Sequence, residues 1–362
     1  MEPLTIYEYG EQARVRLPAE VWDFVQGGSG TESTLAADRA ALDRLRLRPR
    51  VLVDVSAPDA RTTVLGAPLS FPLGIAPMAY HRLASPDGET ATARAAGEAG
   101  ALLTVSMFAS RTLEEIAAAA RGPLWLQLYW LRRRDVLKEL VARAEAAGFH
   151  ALVLTVDAPR IGRRTHDLRN GFTLPDGVRA VNLDPDVMTV GSPVTAGSSV
   201  VQQHASEQFD PAVTWDDLAW LRQRTTLPLV LKGILTAEDA RLAVAHGVDA
   251  VVVSTHGGRQ LDSATAGVHA LPEVVDAVDG ACEVLVDGGI RHGTDILKAL
   301  ALGARAALVG RPVLWGLAHS GHRGVRGVLR LLHTELEDAM ALSGCPRLDD
   351  IGPALVGTAH VT

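Results

Sequence analysis

The chain has 362 residues, 47% of them hydrophobic and only 4% aromatic, with a formal charge of −7. That length exceeds most single domains and suits a β/α barrel with extensions, while the acidic balance excludes the basic surplus of a nucleic-acid binder. The two cysteines, Cys282 and Cys345, have no CxxC spacing, and no disulfide framework is expected. No run approaches the ~20 apolar residues of a membrane helix. The charged, broken start carries no signal-peptide pattern, so the expectation is a soluble cytoplasmic protein without membrane or nucleic-acid partners.

In chain order, residues 17–26 predict a short helix, 27–30 a glycine-rich turn, and the following stretch a second helix ending near Leu45. Together, residues 1–70 are expected to form a lid over the N-terminal face or flank of a barrel. From there the pattern is alternation. Eight short apolar runs occupy 71–76, 101–105, 124–128, 151–156, 227–232, 250–254, 283–286 and 306–309. None is polar at alternate positions, which is how strands buried on both faces read. Helical segments lie between them. Residues 134–147 place Val136, Leu137, Leu140, Val141 and Ala144 on one face and stop at Gly148. Thr236 caps 237–246, with Asp239 as its capping-box partner and Gly247 at the end. Residues 294–302 stop at Gly303 in the same way.

Repeated strand-then-helix units predict parallel strands. Eight of them, with no dinucleotide fingerprint after any, predict a closed (β/α)8 TIM barrel. The expected organisation is one domain, 1–362: an N-terminal helical segment 1–70, a barrel 71–345, and a long active-site loop 158–213 after the fourth strand. That loop far exceeds the usual few residues of a β/α connection.

In such barrels the active site lies at the C-terminal strand ends. Each apolar run here is followed by polar residues, glycine or proline: Pro77-Met78-Ala79-Tyr80, Ser106, Gln127-Leu128-Tyr129, Thr155 to Asp157, Lys232, Ser254-Thr255-His256, Asp287-Gly288-Gly289-Ile290-Arg291, and Gly310-Arg311. The last two sit where this fold commonly holds a phosphate. Glycines let backbone N–H groups approach it, and Arg291 and Arg311 add charge-assisted bonds; the alternative is a plain tight turn at Gly288 and Gly289. His256, at a strand end among glycines, fits a general base, with Asp157 on the same rim to orient it. Arg164 and Arg259 fit two forks for one carboxylate, unless Arg163 and Arg164 are a surface pair. Lys232 ends a buried run and needs an anionic partner. Tyr129 is either core filler or a phenol that bonds a substrate oxygen. No HExxH, GxxxxGK[ST], GxSxG or Cys/His metal spacing occurs, so no metal site is expected.

Taken in order, the stretch 21–32, the Arg-Pro-Arg at 48–50 and the motifs beginning at Pro77, Gln127, Thr155, Leu231, His256, Asp287 and Gly310 resemble the FMN-dependent 2-hydroxy acid oxidases and dehydrogenases. The resemblance spans nearly the whole chain, and implies FMN as cofactor. It implies that Pro77, Met78 and Ala79 contact the flavin ring, and that Ser106, Gln127 and Thr155 bond its pyrimidine edge. Lys232 would lie near its N1 and O2, and Ser254 would also contact the cofactor; Asp287, Gly288, Gly289, Arg291, Gly310 and Arg311 would hold the ribityl chain and phosphate. Arg164 and Arg259 would bind the substrate carboxylate, Tyr129 the substrate oxygens, and His256 would be the base supported by Asp157.

Three departures from the family pattern stand out. Phe24 takes the place of a tyrosine common in small-substrate members. Thr255 replaces the usual asparagine before the base. The long loop has no membrane-binding insert, which favours O2 as acceptor, with H2O2 as product, over a membrane quinone. Phe24, Tyr80, Met107 and Phe108 are expected near the substrate side chain. The stretches after Pro77 and around Gln127 are most similar to members acting on 4-hydroxymandelate, so an aromatic (S)-2-hydroxy acid is expected, with lactate or glycolate as the alternative. The family implies a tetramer.

Overall fold

Short runs that are apolar on both faces can bury themselves only as parallel strands covered on each side. The computed structural model, which describes residues 2–183 and 207–358, shows eight of them: β4 (Leu73–Ile75), β5 (Leu102–Ser106), β6 (Leu124–Leu128), β7 (Ala151–Thr155), β8 (Leu229–Ile234), β9 (Ala250–Val253), β10 (Glu283–Asp287) and β11 (Ala306–Val309). They close into a barrel, β11 pairing with β4 in parallel. Every position of β4, β5, β6, β7, β9 and β11 is buried, which accounts for the missing polar alternation.

Leu102, Trp125, Val153, Val230, Val252, Leu285 and Leu308 belong to one apolar cluster inside the barrel. Val64 and Leu69 join it from an antiparallel hairpin, β2 (Thr62–Val64) with β3 (Ala67–Leu69). The Leu65 N–H donates to the Glu283 carboxylate at 3.0 Å, at the start of β10, so this hairpin closes the N-terminal mouth.

The helices form for the expected reasons. Arg134–Ala146 buries Val136, Leu137, Leu140, Val141 and Ala144. The Thr236 hydroxyl caps Ala237–Ala245 by accepting from the Asp239 N–H, a bond worth about 1 kcal/mol. Gly293–Ala301 lies within one residue of its expected limits.

The N-terminal segment differs from expectation. It holds three helices: α1 (Ile6–Arg16), α2 (Ala19–Gln26) and α3 (Ser33–Arg44). The expected helix over 17–26 begins only after Pro18, which cannot continue α1. α1 lies with Gly10 against the Trp315 ring, where an added Cβ would stand 3.3 Å away. These helices do not cover the N-terminal face. Phe24 and Val25 from α2 reach the opposite, C-terminal mouth, and Asp38 from α3 bonds Thr255 just beyond β9. Among the described residues it is the β2–β3 hairpin, itself part of segment 1–70, that closes the N-terminal end. After the barrel, β12 (Val356–Thr358) returns to pair antiparallel with β1 (Leu45–Leu47).

Of the long connection 158–213, residues 184–206 lie outside the described residues. The part before them contains a short helix, Thr165–Asn170. The part after them is fastened to the end of β6: Arg132 N–H donates to Gln208 O at 2.8 Å, Asp210 N–H to Trp130 O at 2.9 Å, and Arg134 pairs with Asp210 at 2.6 Å.

Candidate active site

The C-terminal strand ends open into a cavity of about 1260 Å³, mouth included. The wall contains Pro77, Met78, Ala79 and Tyr80 after β4, Ser106 and Phe108 after β5, and Gln127 and Tyr129 at β6. Thr155, Arg164, Lys232, His256 and Arg259 continue it, and Asp287, Gly288, Gly289, Arg291, Gly310 and Arg311 complete it. Two expected residues stand behind the wall instead. Asp157 supports His256, and Ser254 accepts from the Lys232 ammonium at 2.7 Å.

His256 follows β9 in a left-handed backbone, φ 57°, and Gly257 and Gly258 follow it at 62° and 70°. The near end of this turn is tied by the His256 N–H donating to Ser254 Oγ at 2.9 Å. The ring lies with Nδ1 2.8 Å from Asp157 Oδ1 and Nε2 3.4 Å from the Tyr129 hydroxyl. Gly233 makes this possible, because an added Cβ there would stand 2.6 Å from the Asp157 Cβ. Burial lowers the His256 pKa, and the Asp157 charge and hydrogen bond only partly oppose it. With Nδ1–H donating to the carboxylate, the neutral ring presents the Nε2 lone pair to the cavity.

Arg164 and Arg163 part company. Arg164 is 6% exposed and lines the cavity, whereas Arg163 is exposed. Arg259 donates to Gly27 O at 2.6 Å and lies over the Phe24 ring at 5.3 Å. Phe24 itself stacks on Phe172, centroids 4.4 Å apart. Burial, reinforced by the charges of Arg164 and Arg311, pushes Arg259 well below its usual pKa. Among the described residues, neither Arg164 nor Arg259 has a carboxylate within ion-pair distance. Two adjacent cations, Arg164 buried and Arg259 half-buried, with no paired carboxylate call for an anionic ligand.

A second pair of cations adjoins the first, since Arg311 and Arg259 donate to the same Gly27 carbonyl. Burial lowers both Arg291 and Arg311 to about 10. Arg291 lies over the Trp315 ring at 4.9 Å. Arg311 donates to the carbonyls of Gly27 and Gly257 at 3.1 and 3.0 Å. Backbone carbonyls satisfy its hydrogens without neutralising its charge. At Gly310 an added Cβ would meet nothing closer than Met78 Sδ at 3.5 Å.

In the same cavity wall, Ser106 Oγ donates to Gln127 Oε1 at 3.0 Å, and Gln127 Nε2 donates to Thr155 Oγ1 at 3.1 Å. This row across β5, β6 and β7 offers donors and acceptors along one edge. Lys232 lies beside it, 2.9 Å from Asp287 Oδ2. Burial disfavours the ammonium, but the Asp287 and Asp157 charges outweigh burial and keep it protonated. Asp287 Oδ1 is buried without a hydrogen-bond partner, an acceptor left over for a ligand hydroxyl. A polar edge, a spare acceptor for a polyol and an unneutralised arginine pair fit a planar heteroaromatic group carrying a phosphate tail.

One expected pocket residue is elsewhere. Met107 is fully buried, and its sulfur accepts from the Tyr129 N–H at 3.2 Å. In its stead stands Phe209, whose ring stacks on Tyr129 at 4.5 Å and lies 6.1 Å from Phe108. Tyr80 lies 6.3 Å from Phe108 on the other side. Val25, Ile161 and Leu314 add apolar wall that the sequence reading missed. Phe209 carried no periodic signal, since it sits in an irregular return from the long loop. Asp38 did carry one: Thr34, Asp38, Ala41 and Leu42 recur at helical spacing, which places a carboxylate on the buried face of α3.

A family model described as FMN-dependent dehydrogenase matches residues 13–358. The L-lactate oxidase of Nostoc sp. is 50% identical over 353 residues, 96% of this chain and 96% of its own. The 4-hydroxymandelate oxidase of Amycolatopsis orientalis is 50% identical over 345 residues, 95% and 96% of the two chains. A crystal structure of mandelate oxidase with (S)-4-hydroxymandelic acid superposes with a TM-score of 0.94 at 48% identity, covering 99% of each chain.

Proposed function

The chain belongs to the FMN-dependent dehydrogenase family and is an FMN-dependent enzyme that oxidises (S)-2-hydroxy acids, and on that premise we propose that its substrate is aromatic, mandelate or 4-hydroxymandelate. The product is the 2-oxo acid, with O2 as acceptor and H2O2 as its reduction product. The observation that carries the reading is the aromatic wall: Phe24, Tyr80, Phe108, Tyr129 and Phe209 all line the cavity that holds His256. Such a wall favours an aryl side chain by roughly 0.5–1.5 kcal/mol per ring pair beyond area burial. The relative from Amycolatopsis orientalis and the mandelate oxidase structure support it by their names. The lactate oxidase from Nostoc sp., equally identical, favours the aliphatic alternative.

Arg164 and Arg259 hold the carboxylate, which sets the hydroxyl-bearing carbon before His256. The Tyr129 hydroxyl, 3.4 Å from His256 Nε2, bonds the substrate oxygen. His256 Nε2 takes a proton from the substrate, and Asp157 stabilises the imidazolium that results. Ser106, Gln127, Thr155 and Lys232 hold the polar edge of FMN, Asp287, Gly288 and Gly289 its ribityl chain, Arg291, Gly310 and Arg311 its phosphate, and Pro77, Met78 and Ala79 a ring face. FMN, when bound, supplies the two-electron acceptor. The proposal extends to a single-domain, homotetrameric enzyme of the cytoplasm, as the family resemblance implies.

The test is kcat/KM for (S)-4-hydroxymandelate, (S)-mandelate, (S)-lactate and glycolate under air. The aromatic acids should exceed the aliphatic ones at least tenfold. The reverse order would overturn the substrate assignment.

A further inference from the structure

Asp38 and Thr255 have no role in the chemistry described so far, yet they stand directly behind the base. Asp38 is 3% exposed. Its Oδ2 accepts from the Thr255 hydroxyl at 2.5 Å, and its Oδ1 from the Gly267 N–H at 3.1 Å. The same Thr255 oxygen accepts from the Gly258 N–H at 3.3 Å. A chain of hydrogen bonds thus runs from α3 through Thr255 to the far end of the turn that carries His256. Within that turn, three consecutive residues are left-handed. For histidine this backbone is unfavourable, and such a residue persists only where its surroundings over-determine it.

Ser254 ties the near end of the turn and Thr255 its far end. Asp38 fixes which way the Thr255 hydroxyl points: its proton goes to the carboxylate, so a lone pair faces Gly258. The Asp-Gly-Gly loop also closes on Asp38, since an added Cβ would stand 3.0 Å from Asp38 Oδ2 at Gly288 and 2.7 Å from Asp38 O at Gly289. Keeping an anion here is costly, because burial pushes the Asp38 carboxyl up to about 6. A carboxylate kept at that cost, with two aligned donors, fits a part with a task.

We propose that Asp38 and Thr255 are positioning residues for His256: Asp38 orients the Thr255 hydroxyl, which clamps the left-handed turn and so holds the imidazole with Nδ1 on Asp157 and Nε2 toward the substrate. The inference rests on His256 as the base. It gives the threonine that replaces the family's asparagine a specific duty, one that a hydroxyl performs with a carboxylate behind it.

The experiment compares wild-type holoenzyme with Thr255→Val, which keeps the shape and removes the hydroxyl, Thr255→Ser, which keeps the hydroxyl, and His256→Ala. FMN content by absorbance and the thermal midpoint establish that each variant is folded and loaded. Displacing a reacting group by about 1 Å costs up to ~100-fold in rate. Thr255→Val should therefore lose ten- to a hundredfold in kcat at nearly unchanged KM and FMN content, and Thr255→Ser should recover most of the loss. A folded, FMN-loaded Thr255→Val with wild-type kcat would overturn the proposal, as would a Thr255→Ser variant as impaired as the valine. If Thr255→Val does not fold, Asp38→Asn decides: a drop in kcat with KM held supports the clamp, and unchanged kcat refutes it. His256→Ala separates the two readings. If it retains substrate-driven reduction, the base assignment fails; if it loses reduction while Thr255→Val is normal, only the clamp fails.

Discussion

At the residue scale, the site pairs the proposed base, His256, with four arginines, Arg164 buried and Arg259, Arg291 and Arg311 half-buried. Because burial lowers the His256 pKa, the base is neutral at pH 7 and becomes protonated only below its usual value of 6.5. kcat/KM should therefore be flat near neutrality and fall as pH drops through a value below 6.5. Asp157 opposes the burial effect, so Asp157→Asn should move that acid limb to still lower pH while reducing kcat. A pH profile with a wild-type limb above 6.5, or an upward shift in the variant, would contradict this. His256→Ala should retain FMN and lose roughly 10²–10⁴-fold in reduction by substrate, the usual contribution of a general base; stopped-flow absorbance measures it. Arg164→Met removes one of the two arginines proposed to bind the substrate carboxylate. A charge-assisted hydrogen bond contributes about 1.5–3 kcal/mol, so KM should rise roughly ten- to a hundredfold, and an unchanged KM removes Arg164 from that role. These residues were legible in sequence because each follows a strand end, with His256 three positions past β9 and Arg164 nine past β7. Asp157, Ser254 and Met107 lie on the same ends but turn behind the wall, a matter of side-chain direction that strand spacing does not specify.

At the element scale, the barrel strands were readable to within two residues, since burial on both faces leaves an unbroken apolar run. The N-terminal segment was harder. α1 contains Gly10 and a weak apolar stripe, and its stability comes from packing Gly10 against Trp315, a partner about 300 residues away in sequence. Likewise nothing local shows that the β2–β3 hairpin closes one barrel mouth while α2 and α3 serve the other. The long loop hid Phe209, whose place depends on backbone pairing of its return segment with the end of β6. Phe209→Ala should lower kcat/KM for (S)-mandelate several-fold more than for (S)-lactate; equal losses would take Phe209 out of substrate selection. A purely structural prediction concerns the two helices after the barrel, Arg311–Ser320 and His322–Leu342, which cross at Gly316 and Gly324. An added Cβ at Gly324 would stand 1.9 Å from Gly316 O. Overpacking of this kind costs about 1–3 kcal/mol or more, so Gly324→Ala should lower the thermal midpoint by several degrees, and an unchanged midpoint would contradict the close crossing.

At the scale of the whole molecule, a chain of net charge −7 concentrates buried positive charge at one barrel mouth. On the proposed reading Arg164 and Arg259 take a carboxylate and Arg291 and Arg311 a phosphate, and the Ser106–Gln127–Thr155 row and Lys232 line the same cavity. Strand ends converge because the barrel closes, which is why residues scattered from Phe24 to Arg311 meet in one cavity. The convergence was legible in sequence, but the shape of the aryl wall was not, since it depends on α2 and on the return of the long loop. No helix among the described residues is long and apolar enough to cross a membrane. The most direct test of the central claim is anaerobic mixing of the FMN-loaded protein with (S)-4-hydroxymandelate while flavin absorbance is followed, then admission of air. The yellow should bleach at a rate well above that with (S)-lactate, and air should restore it with stoichiometric peroxide. A yellow protein that no 2-hydroxy acid bleaches would contradict the account, and one bleached faster by lactate would contradict its aromatic substrate.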